Sequence, residues 1–186
     1  MSSSPTVQSA QPHRLGEVYL DRDQLAARVG ELGSSIAADY AGREPVLVII
    51  LRGAVVFGSD LSRATTIPHA LDFVSVAGYA SPFGDGAAVR LLKDLDEPIG
   101  GRDVIVVENV VDTGLSLNYI LKALALREPA SLAVCTLIDR PYRRLVDDLP
   151  IRYVGFTAPD EFFVGYGFDL DGRYRGLPGL HVLLTN

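Results

Sequence analysis

Glu108, Asn109, Asp112, Thr113, Gly114 and Ser116 fall within one short stretch, ENVVDTGLS, directly after the apolar run VIVV. Two carboxylates, an amide and two hydroxyls so close together can hold a polar ligand. Glycine lets the backbone come close to that ligand or turn with positive φ. A helical pattern begins at once after Gly114, and the free N–H groups of a helix start attract an anion such as phosphate. Glu108 and Asn109 lie just upstream, where they can hydrogen-bond a sugar diol. Together these features point to a phosphorylated sugar, with its phosphate on the loop and its hydroxyls on the acid-amide pair. For DTG alone a plainer reading stays open, because Asp or Thr before a helix is often only an N-cap. No Lys follows the glycine, so the stretch is not a P-loop.

The elements that position this stretch are legible from hydrophobic period. DVIVVENV reads as a buried strand and SLNYILKALALRE as a helix with Leu117, Ile120, Leu121 and Leu124 on one face. Upstream, Asp21 to Tyr40 is an amphipathic helix carrying Leu25, Val29, Leu32, Ile36 and Ala37 at helical spacing. PVLVIILRGA is a Val/Ile-rich run suited to a strand buried on both faces. AVVFGSDLSRA reads as a helix, ALDFVSVAGY as a strand, ASPFGDGAA as a loop and VRLLKDL as a returning strand. SLAVCTLID and IRYVGFTA are two more strands. Alternation of strands and helices predicts an α/β fold with a mostly parallel sheet covered on both faces. Ligands of such sheets bind at the carboxyl ends of the strands, which is where ENVVDTGLS falls.

The chain has 186 residues and 48% hydrophobic residues, enough for one domain with a sizeable core. Residues 1–16 read as a flexible tail and 17–186 as the single domain. The formal net charge of −6 argues against nucleic acid as a partner, since neutralising phosphates requires excess Lys and Arg. One cysteine, Cys135, excludes an internal disulfide and a Cys-rich metal site, and its apolar context predicts a buried thiol. No apolar stretch reaches membrane-span length and the N-terminal stretch has no apolar signal core, so no membrane partner and a cytoplasmic location are expected.

Six segments, taken in order, add a resemblance to this reading. LRGAVVFGSDLSRA, VRLLKDLDEPIGGRDV, VIVVENVVDTGLSL, REPASLAVCTLID, YVGFTAPDEFFVGYGFD and RYRGLPG resemble the 6-oxopurine branch of the type I phosphoribosyltransferases, over about residues 17–184. The resemblance implies the type I phosphoribosyltransferase fold, with a small hood built from N- and C-terminal segments. It implies transfer of ribose 5-phosphate from phosphoribosyl diphosphate to hypoxanthine or guanine in purine salvage, with magnesium as cofactor and a homodimer or homotetramer as assembly.

By the same resemblance, Asp112 is the catalytic group that takes or shares the purine imidazole proton. The amides of Asp112 to Leu115, with the Thr113 and Ser116 hydroxyls, cradle the 5-phosphate, while Glu108 and Asn109 face the ribose. Leu51, Arg52 and Gly53 form the diphosphate loop, with a cis peptide after the leucine, and Arg175 is a second diphosphate contact. Arg140, Phe162, Phe163 and Asp169 surround the base: Phe162 stacks on it and Arg140 donates to its 6-oxygen. Asp169 and Glu108 are the expected metal ligands. Gly78 and Tyr79 belong to a flexible lid.

Five positions depart from the family pattern. Asn109 stands for an acid, Arg140 and Arg52 for Lys, Phe163 for Val and Gly78 for Ser. Arg is not interchangeable with Lys, being planar and longer. Two further readings are therefore kept: the same reaction on a modified or deaza-purine, and a non-catalytic regulator that binds phosphoribosyl diphosphate or nucleotide.

Overall fold

The computed structural model describes residues 14–80 and 87–184, with backbone alone at 78–80 and 87–89. Two sheets organise it. The larger holds six strands: β2 (Val46–Leu51), β3 (Ala70–Ala80), β4 (Ala87–Lys93), β5 (Asp103–Val111), β6 (Ser131–Asp139) and β7 (Ile151–Thr157). Their order is β4-β3-β2-β5-β6-β7, parallel throughout except for the antiparallel β3–β4 arm. The smaller sheet joins β1 (Arg14–Leu20), β9 (Leu180–Leu184) and β8 (Phe163–Val164) in antiparallel register. It unites the two ends of the chain, as expected of a hood.

Three helices cover the larger sheet: α1 (Arg22–Asp39), α2 (Val55–Ala64) and α3 (Leu115–Ala125). Successive side chains of a strand point to opposite faces. Leu47, Ile49, Ile105 and Val107 accordingly pack with Leu25, Ile36, Phe57 and Leu61 of α1 and α2. Val46, Val48, Ile50, Val104 and Val106 pack with Leu117, Ile120, Leu121 and Leu124 of α3. Both faces of β2 and β5 are thus buried, which explains their unbroken apolar runs. Cys135 is fully buried in the first of these layers.

The chain leaves β2 in one direction, through α2 to β3 and β4, and resumes on the other side of β2 with β5. This reversal between β2 and β5 is a topological switch point, where the loops at the strand ends diverge and open a crevice. LRG follows β2 and DTGLS follows β5, so both segments meet there.

Helix boundaries follow local chemistry. Asp21 caps α1 through a reciprocal pair of hydrogen bonds with Gln24. Two expectations shift. Strand β1 begins at Arg14, so Arg14 to Gly16 are paired strand rather than tail. Strands β3 and β4 extend through Ala80 and from Ala87, shortening the loop expected over ASPFGDGAA. Residues 81–86 and the Tyr79 side chain lie outside what the structure describes; the backbones of the lid positions Gly78 and Tyr79 pair with Val89 and Ala88. No helix among the described residues is long and apolar enough to cross a membrane.

Helix α1 carries two glycines with opposite consequences. A Cβ on Gly33 would meet the Ala64 backbone carbonyl at 2.6 Å, whereas one on Gly30 would meet nothing within 4 Å. Gly30→Ala should stabilise the fold by up to about 1 kcal/mol through helix propensity. Gly33→Ala should destabilise it by about 1–3 kcal/mol, because α1 and α2 must separate. Urea unfolding of the two variants checks the opposite signs.

Candidate active site

The crevice at the switch point has two clefts that share Val110 and Asp112. The smaller, of roughly 280 Å³, is walled by Glu108, Thr113, Gly114 and Ser116. The larger, of roughly 610 Å³, is walled by Gly53, Asn109, Arg140, Phe162, Phe163, Asp169 and Arg175, among others. The sequence placed Glu108 and Asn109 together on the ribose; in the structure Glu108 lines the smaller cleft and Asn109 the larger. Neighbours on a strand point to opposite sides, and each of the two lines its own cleft.

The smaller cleft opens on a helix N-terminus. Gly114 sits at the start of α3 with φ +80°, and no side chain caps the helix. Apart from the Leu115 amide, which reaches the Thr113 hydroxyl, its first-turn amides are therefore free to meet an anion. Leu115 and Ser116 are exposed at this helix start, and the Leu115 amide lies 3.4 Å from the Thr113 hydroxyl. Glu108 closes the cleft on the strand side. Burial pushes its carboxyl up to about 8, despite the opposing hydrogen bond from the Asn109 amide at 2.9 Å. Glu108 thus keeps its proton near neutrality and can both donate and accept hydrogen bonds.

The larger cleft mixes apolar walls with fixed charges. Phe162 is half exposed and Phe163 is buried. Arg140 is 7% exposed, and its guanidinium lies over the Phe163 ring at 5.2 Å. It donates to Asp112 Oδ1 at 3.3 Å and to the Glu161 carbonyl at 2.6 Å. Asp112 and Arg140 so stand side by side as an acceptor and a donor on one wall. Asp169 is held by the Gly172 amide at 2.6 Å and by Arg175 at 2.7 Å, and Arg175 also donates to the Gly167 carbonyl.

The diphosphate-loop expectation is met in backbone geometry: the Leu51–Arg52 peptide is cis. Of the three residues only Gly53 walls the larger cleft, while Arg52 is exposed and Leu51 is partly covered. A Cβ on Gly53 would meet the Asn109 side chain at 2.7 Å, so Asn109 lies directly against this loop. Glu108 and Asp169 line different clefts, and no group of three or more potential metal ligands forms among the described residues.

Sequence reasoning missed part of the rim. Arg143 and Asp160, paired at 2.5 Å, line the larger cleft. Glu161 contributes a carbonyl, which no side-chain pattern can announce. The charged run DRPYRR was the available signal for Arg143.

Comparison with known proteins agrees with this geometry. The model of the phosphoribosyl transferase domain matches residues 17–171. Hypoxanthine phosphoribosyltransferase of Salmonella typhimurium is 48% identical over 172 residues, covering 90% of this chain and 96% of that protein. Hypoxanthine-guanine phosphoribosyltransferase of Mycobacterium avium is 43% identical over 178 residues, covering 92% and 87%. The crystal structure of a hypoxanthine-guanine phosphoribosyltransferase from Bacillus anthracis superposes with a TM-score of 0.87 at 39% identity, covering 92% of this chain and 100% of that one. With a matching domain model over most of its length and relatives this similar from end to end, the chain belongs to the phosphoribosyltransferases, in their hypoxanthine and hypoxanthine-guanine branch.

Proposed function

We propose that this protein transfers ribose 5-phosphate from phosphoribosyl diphosphate to hypoxanthine or guanine and releases diphosphate. The observation that carries the reading is the junction of the two clefts at Asp112. An uncapped helix start suited to phosphate opens on one side of it, and an aromatic-walled cleft with an acceptor–donor edge opens on the other.

In this reading the 5-phosphate sits on the Asp112–Leu115 amides with the Thr113 and Ser116 hydroxyls. Glu108 and Asn109 approach the ribose hydroxyls from their two sides. Leu51, Arg52, Gly53 and Arg175 hold the diphosphate. The purine stacks on Phe162 against the Phe163 wall, near Asp169. Arg140 donates to the 6-oxygen, and the free oxygen of Asp112 accepts from the imidazole N–H. A 6-amino group would set donor against donor at Arg140, which favours the 6-oxopurine. In the reaction the N9–C1′ bond forms as the C1′–diphosphate bond breaks, and the imidazole proton passes to Asp112. The sugar gains positive character on the way, so positioning and electrostatics supply the catalysis.

Magnesium fits the donor set as an ion shared with the substrate. It takes oxygen ligands and is usually bound through one or two carboxylates plus phosphate oxygens. Asp169 offers such a carboxylate on the larger cleft, and Glu108 offers one on the smaller. When bound, the ion neutralises the leaving diphosphate. The reading includes a homodimer or homotetramer in the cytoplasm, and light scattering measures the subunit number.

The test is diphosphate release from phosphoribosyl diphosphate and magnesium with a panel of bases. Hypoxanthine or guanine should be fastest. Preference for a deazapurine moves the reaction to a modified base, and tight binding without turnover makes the protein a regulator. Asp112→Asn should lower kcat by roughly 10²-fold or more, with little change in affinity for phosphoribosyl diphosphate.

Glu108 gives a pH signature in stability. Burial pushes its carboxyl up to about 8 in the fold, against 4.5 for a free glutamate side chain. The folded protein therefore binds more protons across this window, and Glu108's contribution to stability falls as pH rises from about 4.5 to about 8. Glu108→Gln removes the effect. Its stability relative to wild type should rise with pH in that window, by at most about 1.4 kcal/mol per unit. A difference that stays flat between pH 5 and 8.5 would count against a protonated Glu108.

A further inference from the structure

The phosphate loop is braced from outside by the segment that follows β6. The Leu145 amide donates to the Thr113 carbonyl at 2.9 Å. A Cβ on Gly114 would meet Leu149 Cδ1 at 2.7 Å, Arg144 Cδ at 3.2 Å and Val146 Cβ at 3.6 Å. The loop thus lies flat against residues 144–149. In a trans peptide the carbonyl and the next N–H point in opposite directions. Pinning the Thr113 carbonyl to Leu145 therefore aims the Gly114 N–H the other way, away from the brace.

The brace needs its own anchor, because Leu145 is largely exposed and lies outside any sheet ladder. Its backbone is held by the Arg144 amide donating to the Pro141 carbonyl at 3.1 Å, and its side-chain anchor is the ion pair between Arg144 and Asp139, the last residue of β6. Both side chains are 15% exposed. The Arg144 Nε has no hydrogen-bond partner and is buried, so the guanidinium is held mainly through Asp139. A strand end, a partly buried ion pair and one main-chain hydrogen bond connect in series to the phosphate loop.

We infer that Arg144, through Asp139, is a positioning residue that sets the phosphate loop for the 5-phosphate without touching the substrate. The inference rests on the proposed function, since it deepens the role of the same loop. It differs from a direct phosphate contact by Arg144 in a measurable way. Releasing Arg144 from Asp139 would aid a direct contact but unhinge a brace.

Three variants of the full chain test it: Arg144→Met, Asp139→Asn and Leu145→Pro. The last deletes the Leu145 N–H and leaves the ion pair in place; Arg144 already has ψ 129°, which proline accepts in the residue before it. Ribose 5-phosphate is the binding probe, read by calorimetry, with KM for phosphoribosyl diphosphate and for hypoxanthine measured separately. Each variant should weaken ribose 5-phosphate binding and raise the phosphoribosyl diphosphate KM by about 10-fold or more, with the base KM within about twofold. Arg144→Lys, which keeps the charge, should recover part of the loss. Hydrogen exchange at the Leu145 amide should quicken in Arg144→Met and Asp139→Asn, provided melting shows them folded. If these two unfold, Leu145→Pro and Arg144→Lys carry the test. Asp139→Asn that binds ribose 5-phosphate as tightly as wild type overturns the inference, as does a folded Leu145→Pro with unchanged affinity. Wild type that binds ribose 5-phosphate but turns over no purine overturns the proposed function alone. Wild type that does not bind it overturns both.

Discussion

The site depends on one close backbone approach, at Gly53. On one side the Asn109 side chain occupies the space a Cβ would need. On the other, the Gly53 carbonyl lies so near Gly167 that a Cβ there would collide with it. Three segments distant in the chain therefore touch at one point: the loop after β2, the end of β5, and the turn after β8. Gly167 has φ +95°, which a side chain at that position would resist. This contact brings Arg175 and Asp169 to the same cleft as Asn109 and Asp112, and the larger cleft is the space left around it.

The charges of that cleft are organised in neighbouring pairs. Arg140 serves Asp112 while lying on Phe163, and Arg175 serves Asp169 while donating to Gly167. Paired, hydrogen-bonded charges can be buried where isolated ones cannot. The pairing also orients each group: Asp112, held at one oxygen, presents the other in a defined direction, and Asp169 is fixed at both oxygens. The departure from Lys to Arg at position 140 suits this arrangement, since a planar fork bonds a carboxylate and a carbonyl at once. Asn109 is buried with its side chain directly against the Gly53 backbone.

Much of the architecture was legible in the chain because the physics there is local. An apolar run of strand length must be buried on both faces, and a 3.6-residue period must cover one of them. Strands β5, β6 and β7 and helix α1 followed from those periods almost to the residue, while β2 and α3 end earlier, at Leu51 and Ala125, than the runs PVLVIILRGA and SLNYILKALALRE suggested. Strand β1 was not read as a strand, and its first residues were counted as tail, because Arg14 to Gly16 carry no apolar pattern; the strand pairs with β9, and a partner at the far end of the chain leaves no local mark. The loop over ASPFGDGAA was drawn too long for a similar reason, since antiparallel pairing extends β3 and β4 into small residues that locally read as coil.

By itself the sequence determined that a polar, glycine-bearing loop ends a buried strand and opens a helix, since composition and order alone dictate that junction. It also carried the family resemblance, because ordered motifs are a property of the chain. Only the tertiary structure decided which groups share a space. Strand pleating sends Glu108 and Asn109 into separate clefts, and burial rather than residue type sets the protonation of Glu108. The pairing of Arg140 with Asp112, and the brace of Leu145 on Thr113, arise where the segments after β5 and β6 lie side by side. Those contacts depend on strand order, and strand order is settled by the packing of the whole sheet.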